Sequence, residues 1–126
     1  MPALGFAVSA PELTDIVLHQ ATRTLELRFA DGSEFRLPAE FLRVHSPSAE
    51  VQGHGPGQAV LVPGKREVAI TGLEPVGHYA VQITFSDGHD SGLFGFDYLY
   101  RLGREQDALW QRYLERLAAA GQSREP

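Results

Sequence analysis

The side chains best suited to chemistry in this sequence are its five histidines. His45, His54, His78 and His89 fall in or beside expected turns, and Asp90 follows His89 directly. Imidazole and carboxylate together are a common donor set for metals. A metal-binding reading would use His45, His54, His89 and Asp90. Against it, no two histidines have the i, i+4 spacing that puts both on one helix face, and no His-x-Asp occurs. His45 and His54 are separated by a Pro/Gly-rich stretch that fixes no geometry. Histidines that are exposed, or hydrogen-bonded within loops, explain the pattern with fewer assumptions, so no metal is expected.

Other catalytic arrangements fail on spacing. Ser46, Ser48, Ser86 and Ser91 lie near histidines in sequence, but none sits in a Gly-x-Ser-x-Gly elbow. Glu40 with Glu50, and Asp87 with Asp90, read as caps, turns and solvated faces. Residues 53–58 are Gly-rich like a phosphate cradle, yet a P-loop needs Gly-Lys-Ser/Thr opening a helix. Here Gly64-Lys65-Arg66 leads into a strand pattern. No βαβ unit surrounds the glycines, so a dinucleotide site fails too. The expectation is a non-enzymatic protein without a cofactor, whose Gly-rich loop is free to meet a partner or a small anion.

Composition agrees. The chain has 126 residues, room for one domain, with 11 Lys+Arg against 16 Asp+Glu and a formal charge of −5. That balance disfavours nucleic acid as a partner. Cysteine is absent, which removes thiolate ligands, disulfides and a thiol nucleophile. No apolar run approaches the ~20 residues of a membrane span, and residues 1–10 lack the basic start of a secretory signal. A soluble cytoplasmic protein is expected, with no membrane partner.

The elements that must position these residues follow from periodicity. Residues 1–11 read as a flexible arm, 12–121 as one domain and 122–126 as a disordered tail. Ile16 and Leu18 mark a first strand. Leu25, Leu27 and Phe29 alternate with polar residues in a second. Asp31-Gly32 is a hairpin turn, and Phe35 and Leu37 lie on the return strand, closed by Pro38. Phe41, Leu42 and His45 share one side of a short helix that Ser46-Pro47-Ser48 ends. Val60–Val62 predicts a short strand, and Val68 and Ile70 begin another that breaks near Gly72 to Pro75. Tyr79, Val81, Ile83 and Phe85 alternate in the clearest strand, followed by an Asp87-Gly88 turn and a return over Ser91–Phe94. Asp97–Leu102 reads as a turn or two of helix, interrupted near Gly103. Leu109, Trp110, Tyr113, Leu114 and Leu117 define a long amphipathic helix, stopped at Gly121.

These elements predict an α+β fold. An antiparallel β-sheet of hairpins carries short helices and a C-terminal amphipathic helix packed on it, a two-layer sandwich anchored by Trp110 and Tyr113. Phe94, Phe96, Tyr98 and Tyr100 would form one aromatic strand face if extended. If the chain turns helical at Asp97 most of them enter the core, and that is the expectation adopted. There is also an internal echo: Leu25 to Gly32 followed by Phe41-Leu42, and Val81 to Gly88 followed by Tyr98-Leu99. Two similar hairpins, rather than a duplication, are the simpler account of it.

Three segments carry a family resemblance. Phe41-Leu42-Arg43-Val44-His45-Ser46-Pro47-Ser48-Ala49-Glu50-Val51, Asp87-Gly88-His89-Asp90-Ser91-Gly92 and Asp97-Tyr98-Leu99 together resemble the γ-butyrobetaine hydroxylase-like N-terminal domain family, also known as domain of unknown function DUF971. The likeness runs from about Glu12 to Leu102 and is greatest to stand-alone bacterial members. In the hydroxylases this domain precedes a double-stranded β-helix that uses Fe(II) and 2-oxoglutarate. The present chain is too short to hold that part, so the resemblance implies no hydroxylase activity. It also implies where a structural zinc would lie. The family's Cys-x-Cys-x-x-Cys run falls on Ser46, Ser48 and Val51, and its distant His on His89. With the thiols gone, the zinc position is expected to be empty.

The resemblance further suggests a non-catalytic binding or adaptor domain, with Arg43, His45, Ser46, Ser48, Glu50, His54, His89 and Asp90 as the partner-binding surface. The protein partner is not named by the sequence. Since the hydroxylases pair, a homodimer through a sheet edge or the C-terminal helix is the oligomer the resemblance allows. The alternative is the metal-binding reading above. Links between some family members and iron–sulfur assembly ATPases would connect it to iron–sulfur assembly.

Overall fold

The computed structural model describes residues 10–48 and 60–126. Within them the strands divide between two antiparallel three-stranded sheets. The first contains β1 (Leu13–His19), β2 (Thr24–Phe29) and β3 (Glu34–Pro38), and the second β4 (Ile70–Val76), β5 (Ala80–Phe85) and β6 (Leu93–Gly95). In each, the strand with the strictest alternation lies in the middle: order β1-β2-β3 and β4-β5-β6. Each third strand runs straight into a helix, α1 (Ala39–Val44) after β3 and α2 (Phe96–Arg104) after β6. A longer helix, α3 (Gln106–Ala119), follows. The arrangement is α+β, as the periodicity predicts, with the hairpins distributed over two small sheets.

One apolar core joins both halves. Leu25, Leu27 and Phe29 of β2 meet Val81, Ile83 and Phe85 of β5, together with Leu37, Phe41, Leu42, Phe94, Leu99 and Leu102, all buried. This packing is what makes α1 helical. A six-residue helix has too few hydrogen bonds to survive alone. Burial of Phe41 and Leu42, 1% and 0% exposed, contributes roughly 1.5–3 kcal/mol each. The aromatic stretch resolves as expected: helix begins at Phe96, Phe94 is fully buried, and Phe96, Tyr98 and Tyr100 pack against the core.

Several local expectations are corrected. Val60–Val62 forms no strand; instead Leu61 and Val62 pack against Tyr113 and Leu117 of α3, and the Val62 carbonyl accepts the Tyr113 hydroxyl at 2.6 Å. Strand β4 does not break between Gly72 and Pro75. It shifts register between Ile70 and Gly72 and continues, with Pro75 opposite Val81. Proline is tolerated because β4 is an edge strand and needs no ladder N–H on its open side. Gly103 does not interrupt α2, which runs on to Arg104. It is a packing glycine: a Cβ there would fall inside the Phe35 ring. As expected, α3 is anchored by Trp110 and Tyr113: they meet Phe41 and Val44 of α1, and Leu109 and Trp110 pack against the core that both sheets build.

Candidate functional site

The end of α1 and the turn between β5 and β6 meet, and most of the residues singled out by sequence lie at that junction. Ser46 and Ser48, just past α1, are 0% and 7% exposed. Their hydroxyls lie 2.9 and 3.4 Å from Nε2 of His89, which is itself 7% exposed. Gly92 makes room for this contact, since a side chain there would collide with the Ser46 hydroxyl. The turn is also pinned from outside. Asp87 Oδ1 accepts the His89 backbone N–H at 3.1 Å, while Oδ2 accepts Arg43 Nε at 2.8 Å and Lys65 Nζ at 2.6 Å. Partial burial alone would raise the Asp87 carboxyl. Lys65, the His89 N–H and Arg43 outweigh it and hold the group at about 2. Arg43 is committed inward, with its side chain 11% exposed and Nη1 buried without a hydrogen-bond partner.

This cluster is where the family resemblance places a zinc ion, so its chemistry can be tested against that ion. Ser46, Ser48 and His89 do converge. Neutral hydroxyls are poor zinc donors, however, and they already hydrogen-bond Nε2 of His89. Val51 lies outside the described residues. The residues present do not fit zinc; they form a buried hydrogen-bonded bridge between the two halves of the fold. Among the described residues no group of three or more His, Cys, Asp or Glu is arranged to hold a metal ion.

His45 occupies a different environment. Its Nδ1 lies 2.9 Å from the Phe41 carbonyl. A carbonyl only accepts, so Nδ1 carries the proton and Nε2 is left as an acceptor. Burial drives the His45 pKa down; the Phe41 carbonyl opposes this and the Arg116 charge adds to it, so the ring is neutral at pH 7. The backbone is held as well, since the Tyr98 hydroxyl donates to the His45 carbonyl at 2.6 Å. His45 lines a groove of about 250 Å³ between the α1 end and α3. Val44, Val62, Leu102 and Leu109 supply apolar wall, and Arg101, Arg112 and Arg116 supply positive charge.

The expected surface is thus partly dispersed. Ser46, Ser48 and His89 are inside, and Arg43 is nearly so; any influence they have on binding acts through the loop and turn they hold. Asp90 is exposed beside the turn, its carbonyl accepting Gln82 Nε2 at 2.6 Å. Glu50 and His54 lie outside the described residues. His45 joins a groove the sequence reading did not assemble. Arg112 and Arg116 were findable, because their i, i+4 spacing beside Leu109 and Tyr113 puts both on the border of the apolar stripe of α3. Lys65 gave no signal, since its partnership with Asp87 depends on long-range folding.

A small α+β domain of two three-stranded sheets and three helices is the class these features define. The sequence model for the γ-butyrobetaine hydroxylase-like N-terminal domain matches residues 16–100. The chain belongs to that family. Solved structures agree. One protein studied by NMR in solution is 55% identical, covering 92% of this chain and 91% of its own, with a TM-score of 0.81. A second is 47% identical over 98% and 92%, with a TM-score of 0.82. A crystal structure of a DUF971 protein of unknown function from Acidithiobacillus ferrooxidans ATCC 23270 is 40% identical over 73% and 92%, with a TM-score of 0.62. No curated protein matches the chain. Among the described residues no helix is long and apolar enough to cross a membrane.

Proposed function

We propose that this domain is a cytoplasmic, non-catalytic binding module, and that the groove beside His45 receives an acidic, partly apolar segment of a partner protein. The observation that carries the reading is a concentration of guanidinium groups in a chain of net charge −5: Arg101, Arg112 and Arg116 border one groove of mixed polar and apolar lining. Arg112 has no ion-pair partner among the described residues, and Arg101 has only Glu105 at 3.4 Å. Size favours an adaptor over an enzyme. At about 250 Å³ the groove is smaller than the usual ~300–1,000 Å³ of a small-molecule site, and suits one or two protruding side chains. His45, neutral and accepting at Nε2, adds a polar contact without adding charge.

The probe is an acetylated Asp-Leu-Glu-Leu amide, followed by NMR on the full chain. Saturable shifts at His45, Arg112 and Tyr113 are expected. The double variant Arg101→Glu, Arg112→Glu should abolish them, and a Lys-Leu-Lys-Leu peptide should give none. Equal response to both peptides, or an unchanged response in the double variant, would overturn the reading.

A further inference from the structure

Residues 123–125 rest on the body of the domain like a bound peptide. The backbone N–H groups of Gly64 and Arg66 donate to the carbonyls of Ser123 and Arg124 at 2.9 and 3.0 Å. Both bonds run one way, from the loop N–H groups to carbonyls of the tail. The Arg124 guanidinium reaches Glu40 with both arms, Nε to Oε2 at 2.8 Å and Nη2 to Oε1 at 2.7 Å. It also stands over the Trp110 ring, 5.2 Å from its centre. Arg66 pairs with Glu125.

The receiving surface looks built for a guanidinium. Glu40 is a carboxylate with its side chain only 8% exposed, and Arg124 is its ion-pair partner. A fork of two parallel charge-assisted bonds matches arginine and not lysine, and an indole face adds a cation–π contact. The tail leaves space unused. Glu40 borders two hollows, one of about 230 Å³ with Phe41, Asp107 and Trp110, and one of about 160 Å³ with Arg23 and Arg66.

We propose that Glu40, Trp110 and the backbone of residues 64–66 form a recognition site for an arginine-bearing peptide of a partner protein, and that residues 123–125 fill it in cis. Ligand recognition is of the Ser-Arg-Glu type: main chain read by Gly64 and Arg66, arginine by Glu40 and Trp110, the following acid by Arg66. A tethered occupant competes at high effective concentration, so the site opens only to a ligand that exploits the adjoining hollows or to a chain whose tail is weakened. This site is separate from the groove at His45, and either can fail alone.

The chain contains a single tryptophan, Trp110, so its fluorescence reports the site. The test uses the full chain with Arg124→Ala, and an acetylated Gln-Ser-Arg-Glu-Pro amide as probe. Arg124→Ala should change the Trp110 emission, and the peptide should restore it saturably. Binding should be at least about tenfold tighter than to the parent chain. A peptide with alanine for arginine should not bind, and adding Glu40→Gln should remove binding. A folded Arg124→Ala chain that gives no saturable response, or a response surviving Glu40→Gln, overturns the proposal. If Arg124→Ala does not fold, the parent chain decides: millimolar peptide must move the amide signals of Gly64 and Arg66 and the Trp110 indole signal, and their silence overturns it. A concentration-dependent dimer that the peptide dissolves would assign the site to a second copy's tail and overturn the partner reading.

Discussion

The hairpin of residues 24–38 and the hairpin of residues 80–95 turn by the same chemistry. Gly32 and Gly88 both have φ of +90° and both donate to the phenylalanine three residues earlier, Phe29 and Phe85, at 3.0 Å. Asp31 and Asp87 each accept the backbone N–H two residues on, at 2.8 and 3.1 Å. The halves then exchange contacts. The fifth residue of α2, Tyr100, donates to Asp31 at 2.7 Å, and the fifth residue of α1, Arg43, donates to Asp87 at 2.8 Å. Each hairpin turn is thus held by the helix that follows the other hairpin. The halves differ at the residue after the glycine. Ser33 is a partly exposed turn residue; His89 is buried against Ser46 and Ser48. The shared features build the frame, and the unshared position is where the second unit has been specialised.

The largest expected effect comes from restoring what that specialisation implies. Ser46→Cys, Ser48→Cys and Val51→Cys together, with His89 kept, should bind zinc stoichiometrically, the Val51 position being taken from the family's ligand pattern. At free zinc a thousand times Kd, the variant should gain about 4 kcal/mol of stability, read as a zinc-dependent rise in Tm. The parent chain should show none. A folded triple variant that retains no zinc after dialysis would break the link between the Ser46–Ser48–His89 bridge and a metal position.

A second prediction concerns the packing between the units. Exposed Gly→Ala changes inside helices usually stabilise by about 1 kcal/mol. Gly103→Ala should instead destabilise by about 1–3 kcal/mol, because the new Cβ enters the Phe35 ring. Chemical denaturation measures this directly. A stabilised variant would mean that the contact between β3 and α2 is loose.

How much of this was legible beforehand depends on the range of the interaction. The Asp-Gly turns, the alternation in β2 and β5, and the stripe from Leu109 to Leu117 are local patterns, and each element lies where its pattern put it. Val60–Val62 misled because a short apolar run has no period of its own; tertiary contact with Tyr113 and Leu117 decided its form. The convergence of Ser46, Ser48 and His89 was legible only through the family pattern, since no local rule joins positions 43 residues apart. Their burial was not legible at all. Nor was the place of Arg124, whose partner Glu40 is 84 residues away.

Acid should separate the two turns. Asp87 is held at about 2 against an ordinary 3.8. Its contribution is present above pH 3.8 and is lost as pH falls toward 2. With its side chain 21% exposed and some screening by solvent, the loss is at most about 2 kcal/mol. Asp31 is also lowered, first by the Tyr100 hydroxyl and then by Ser33, so its slope has the same sign. With no cationic partner among the described residues, it should be the shallower. Urea midpoints between pH 6 and 2 for Asp87→Asn and Asp31→Asn test this. Equal flattening in both variants would show that Arg43 and Lys65 add nothing beyond the shared turn.

The smallest effect compares the ends of the two helices. His45 closes α1 at φ −111°, ψ 20°, and Glu105 closes α2 at φ −107°, ψ 15°, nearly the same backbone with opposite surroundings. Glu105 is exposed, whereas His45 is half-buried beneath α3. Since burial lowers the His45 pKa below its ordinary 6.5, the unfolded chain binds more protons than the folded one as pH drops through 6.5. Stability therefore falls on acidification in that window and stops falling below the folded pKa. His45→Gln should remove this slope between pH 7.5 and 5.5, while Glu105→Gln should leave it intact. A slope that persists in His45→Gln would move the titrating group elsewhere, and the two helix ends would then differ in sequence without differing in their response to protons.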